Sequence, residues 1–205
     1  MAPSSIDALE SGNMSSAVLH GRMEDRSVSM LRANVSSAPI AIFVAAVGDW
    51  AYKTLWGGGV VKAVFDIPVL QLIPILLVLT VVHEAVHALT WKALSAHHRE
   101  THVRFGINWR YLAPYAHPVG RLPAWINLAG GLAPALLLGI GPFVWATSNS
   151  EPLVAGIALL MVAGSAGDFM IAWQLIGVPM RTPVEDRPDR VGVIIHWDAT
   201  HRATR

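Results

Sequence analysis

His83, Glu84 and His87 stand close together in the stretch VVHEAVHALT, residues 81–90. On a helix, residues four apart share a face, so His83 and His87 can each offer a ring nitrogen to one divalent ion. Glu84, next to the first histidine, can reach a water held on that ion and accept its proton. The competing reading is a pair of buried histidines satisfied by hydrogen bonds, since a chance HExxH is not rare. The setting weighs against it. The motif closes the apolar run DIPVLQLIPILLVLT, residues 66–80, and ionisable groups inside a membrane span are costly and by default functional.

A catalytic zinc ordinarily takes three protein ligands and leaves one position open. The third ligand must come from elsewhere in the chain. Asp168, in GSAGDFMIAW, is the only acid in the apolar segment that runs from about Pro152 to Gly177. His83 follows Pro68 by 15 residues, and Asp168 follows Leu153 by 15 (68 to 83, 153 to 168). At a helical rise of 1.5 Å per residue, both groups are expected about 22 Å below the face where their helices enter. Gly164, Ser165, Ala166 and Gly167 are expected to let helices approach closely enough for this short side chain to reach the histidines. Two further residues are candidates for contacts to substrate or to a transition-state oxygen. They are His117, before the third apolar segment, and Asn127 within it. Such a ligand set suits zinc, and also iron or manganese.

Positioning these groups falls to the apolar segments. The 205-residue chain is 53% hydrophobic and 14% charged, against about 25% charged in an ordinary soluble domain. That places it among membrane proteins. A net charge of +1 gives no reason to expect a nucleic-acid partner. The absence of cysteine excludes disulfides, thiolate ligands and cysteine nucleophiles. The expected fold is an all-α membrane protein of about four transmembrane helices with a short cytoplasmic hairpin-like loop. Spans are expected near 67–94, 123–147 and 152–177, with a weaker one at 38–56 interrupted by Asp49 and Lys53, which are spaced to pair on one helix face. The glycines at 57–59 should end that segment.

Lys92, Arg99, Arg104, Arg110 and Arg121 lie in or beside the loop between the second and third spans, against one acid, Glu100. The loop SNSE, between the third and fourth, has no basic residue. Basic loops stay in the cytoplasm, so both termini are expected there and the protein in the cell membrane. Trp56 and Trp145 should mark the outer interface, and Trp91, Trp125 and Trp173 the inner one. Residues 1–34 lack the apolar stretch of a signal peptide and read as a flexible cytoplasmic arm. Residues 35–180 then form the membrane-embedded domain, and 181–205 a cytoplasmic tail. Residues 101–117 alternate in part and read as a short hairpin turning at 106–108, which could hold an extended substrate by strand addition or be a plain interfacial loop.

The motifs HEAVHAL, YAHP, AGGLAP and AGDFMIAW together resemble the bacterial and archaeal putative membrane zincin peptidases, over roughly residues 66–195. More distantly the chain is similar to site-2 proteases, which place HExxH on one membrane helix and an aspartate ligand on a later one. Their later motif reads Asp-Gly, where this chain has Gly167-Asp168. The resemblance implies a zinc-dependent peptidase embedded in the membrane, with His83, His87 and Asp168 as zinc ligands and Glu84 as general base. Its partners would be the lipid bilayer and a membrane protein or peptide substrate. Two other classes fit the same residues: a catalytically inactive metal-binding membrane protein that holds a partner, and a metal or ion transporter. An intact Glu84 argues against the first, and the apolar outer halves of the second and fourth spans argue against the second.

Overall fold

The computed structural model describes residues 22–198, apart from 99, 110–112 and 188. Residues 1–21, most of the expected arm, and 199–205 lie outside that description. Helix α1 (Met30–Trp56) begins at Ser29, whose hydroxyl accepts from the Arg32 amide. Lys53 meets Asp49 at 2.6 Å, the expected pairing one turn apart. Gly57, with φ 75°, ends the helix in the left-handed conformation that glycine adopts without a side-chain clash. Helix α2 (Val60–Phe65), which the sequence did not suggest, follows at once. Its Val61 amide donates to Asp49 Oδ1 at 3.0 Å.

Helix α3 (Val69–Leu94) carries the histidine motif. The next span starts as α4 (Ala124–Pro134), loosens into a π-helical stretch (Ala135–Ile140), and closes as α5 (Gly141–Ser148). Helices α6 (Pro152–Gly164) and α7 (Ala166–Gln174) make one broken segment, bent by 43°. By length and composition three helices can each cross a bilayer, Met30–Trp56, Val69–Leu94 and Ala124–Ser148, and the bent pair brings the number to four where it is counted as one span.

The fold is not purely helical. A four-stranded antiparallel sheet runs in the order β1 (Arg22–Asp25), β6 (Val193–Trp197), β5 (Pro183–Asp186), β4 (Arg121–Pro123). Strands of three to five residues leave almost no periodic signal, so the expectation of an all-α fold is corrected here. Part of the presumed arm and part of the presumed tail thus pair as neighbours, Glu24 opposite Ile195. Arg190 adds bonds to Ser27, and Arg187 lies 3.8 Å from Asp25. One sheet joins residues before α1, residues between α3 and α4, and residues after α7, which gathers these three parts of the chain at one end of the molecule.

The hairpin expected at 101–117 is present, with residues 106–108 inside its first strand and not at its turn. Strands β2 (His102–Asn108) and β3 (Ala113–Val119) pair with Gly106 opposite Tyr115. Gly106 is therefore mid-strand. Its role is steric, because a Cβ there would run into the Tyr115 phenol.

Candidate metal centre

His83 and His87 project from one face of α3, as residues four apart on a helix must. Their Nε2 atoms lie 3.1 Å apart. Asp168, in the first turn of α7, reaches both: Oδ2 is 3.3 Å from His83 Nε2 and Oδ1 is 3.3 Å from His87 Nε2. The close-packing role expected of Gly164 and Gly167 is not found, for a Cβ on either would meet nothing within 4 Å. The 43° bend between α6 and α7 sets the direction in which the first turn of α7 carries Asp168.

The electron pairs of this trio converge. His87 Nδ1 lies 2.8 Å from the Gly130 carbonyl oxygen. A carbonyl can only accept, so Nδ1 is the donor, and in the neutral ring Nε2 is left with its lone pair facing His83 and Asp168. Two imidazole nitrogens and a carboxylate directed at one another are poorly satisfied alone and well satisfied around a cation. A tetrahedral zinc with bonds of about 2.0–2.1 Å has ligand-to-ligand edges of about 3.3 Å. The separations of 3.1 and 3.3 Å fit that size. His83, His87 and Asp168 form the one such cluster among the described residues.

The groups behind the trio were only partly legible in the sequence. Trp91 was expected at the membrane interface. It is buried instead, its indole stacked on the His87 ring at 5.1 Å with Nε1 donating to the Asn127 carbonyl at 3.3 Å. A Cβ on Gly130 would collide with that indole, so glycine there lets the helix carbonyl come up to His87. Trp56, Trp125, Trp145 and Trp173 are exposed. Asn127, proposed as a polar contact, is buried on α4 and enters the centre's surroundings through its main-chain carbonyl.

Glu84 lies within electrostatic reach of His83, His87 and Asp168. Its Oε2 accepts from the Ala116 amide at 2.6 Å. Residues 114, 116 and 118 share one phase of β3, and the Ala116 amide points away from β2, so all three face the outer edge. Pro114 and Pro118 have no amide proton, which leaves Ala116 as the one donor on that edge between them. Strand addition by a substrate would find few donors there.

His117, the other candidate contact, stacks on Tyr115 at 5.2 Å and stands opposite Arg104 in the hairpin. Burial, with Arg104 opposite, holds its imidazole below the ordinary value. Its described contacts belong to the hairpin and not to the trio. Asp186, at the end of β5, was not anticipated. Burial pushes its carboxyl up to about 7, and it lies within electrostatic reach of His87 and Asp168. An acid beside Glu185 and Arg187 in a charged run offers no motif by which it could have been found.

A family model described as putative zincin peptidase matches residues 76–182, just over half of the chain. The matched span includes both histidines, Glu84 and Asp168. No curated protein and no solved structure matches the chain.

Proposed function

Because the chain belongs to the putative zincin peptidase family, we propose that it is a zinc-dependent peptidase embedded in the membrane, cleaving peptide bonds in or next to the bilayer. The observation that carries this reading is the convergence of His83, His87 and Asp168, from two helices distant in sequence, beside Glu84. Those three residues are the zinc ligands of the proposal, and Glu84 is the general base.

Zinc held there supplies Lewis acidity, which makes water acidic enough to give up a proton near neutral pH. The remaining steps belong to the chain. The Ala116 amide occupies Glu84 Oε2, leaving Oε1 to take a proton from the attacking water. The same carboxyl then returns the proton to the amine that leaves. Trp91 and the Gly130 carbonyl hold the His87 ring in orientation. The apolar spans select substrates by location, favouring segments that reach or enter the membrane. The basic loop supports cytoplasmic termini in the cell membrane, with the site open to water on that side.

Glu84→Gln tests the chemistry. It preserves side-chain size and removes the basic carboxylate. Detergent-purified variant and wild type are compared on a fluorogenic mixed-sequence peptide library and by metal analysis. Zinc content should be unchanged while hydrolysis falls by about 10²–10⁴-fold. Hydrolysis at the wild-type rate would end the peptidase mechanism and favour a metal-binding protein that holds a partner.

A further inference from the structure

Pro134 lies inside α4, where proline has no N–H to offer the carbonyl four residues earlier. That carbonyl belongs to Gly130, and it is the one that accepts from His87 Nδ1 at 2.8 Å. The next amide does not replace the missing donor, because the Ala135 N–H turns to the Leu132 carbonyl. A proline ring also crowds the carbonyl four residues back and tilts it out of the helix. The backbone then loosens into the π-helical stretch 135–140.

We propose that Pro134 is a positioning residue for the metal centre. By withholding one amide proton, it frees the Gly130 carbonyl to fix His87 as the Nδ1–H tautomer, with Nε2 open toward His83 and Asp168. Gly130 and Pro134 then make one device. The glycine lets the carbonyl approach past Trp91, and the proline leaves it without a helical partner. With an ordinary residue at 134, a helical amide would compete for the oxygen, and His87 would lose its exclusive acceptor. The consequence for zinc rests on the peptidase reading above; the tautomer of the metal-free protein does not.

The experiment uses the full-length protein in detergent micelles with zinc as the probe. Pro134→Ala restores the amide proton and should weaken zinc binding by about 10–100-fold, the usual cost of losing a partner behind a metal-bound histidine. Replacing residue 134 with lactic acid, which gives a main-chain ester, keeps the alanine side chain but removes the N–H again. That variant should recover most of the lost affinity, which a role of the ring in packing would not allow. Nitrogen NMR of ¹⁵N-histidine-labelled, metal-free wild type should show His87 as the Nδ1–H tautomer, and Pro134→Ala should shift the population toward Nε2–H. Unchanged zinc affinity in Pro134→Ala, no rescue by the ester, or an Nε2–H tautomer in wild type would each overturn the proposal. Should Pro134→Ala fail to fold, the ester variant decides it: with no N–H at 134 it should keep the wild-type zinc affinity and the Nδ1–H tautomer, and loss of either would overturn the proposal. If wild type binds no zinc, the peptidase reading fails, and the tautomer spectrum still judges the role of Pro134.

Discussion

His83 Nε2 and Asp168 Oδ2 stand 3.3 Å apart, one on α3 and the other at the start of α7. Neither helix holds all three members of the cluster, so the trio and the Gly130 carbonyl behind it meet only when α3, α4 and α7 are packed together. Binding of a metal by this trio would therefore be coupled to tertiary structure.

That coupling predicts the behaviour of ligand variants. His83→Ala, His87→Ala and Asp168→Asn should each lose most bound zinc, and peptidase activity with it, while helix content by circular dichroism is retained. Metal analysis after gel filtration checks this. Full zinc occupancy in Asp168→Asn would remove Asp168 from the ligand set.

The bond from the Ala116 amide to Glu84 predicts a split between two neighbouring variants. Ala116→Gly keeps the amide and should keep most of kcat. Ala116→Pro removes it in a phase of the strand where Pro114 and Pro118 already sit, and should lower kcat by about tenfold, the scale of one hydrogen bond to a charged group. Zinc content should be equal in both. Equal kcat for the two would show that the amide does not hold the base.

Asp186 predicts a pH dependence in metal-stripped protein. Its folded carboxyl titrates at about 7, above the ordinary 3.8. Between those values the folded chain keeps a proton that the unfolded chain has released, so stability falls as pH rises through this window. The loss is complete above about 7 and absent below about 4. Asp186→Asn should therefore raise Tm in detergent at pH 8 by a few degrees, with the two curves meeting near pH 4. Parallel curves across the range would refute the shift.

The shared sheet predicts sidedness. The chain has no cysteine, so single cysteines report cleanly. Met23→Cys and Phe105→Cys, at exposed positions, should react with an impermeant maleimide from the same side of the membrane. Ser150→Cys should react from the opposite side. The basic loop predicts that the first two are cytoplasmic, and labelling of all three from one side would break the four-span topology.

Much of the frame was legible without coordinates, because its signals are local. Apolar runs marked the helices within a few residues of α3 and α4, and the four-residue spacing placed His83 and His87 on one face. A lone acid in an apolar segment singled out Asp168, since an unpaired charge there is costly enough to need a purpose. What tertiary structure decided was of two kinds. Strands β1, β4, β5 and β6 are three to five residues long and pair across most of the chain, so no window contains both partners. The groups that orient the centre are mainly backbone: the Gly130 carbonyl, the Ala116 amide, and the proton that Pro134 lacks. Every residue type carries nearly the same backbone, so a sequence records which side chains are available to bind a metal, and only packing determines which carbonyls and amides will hold them in place.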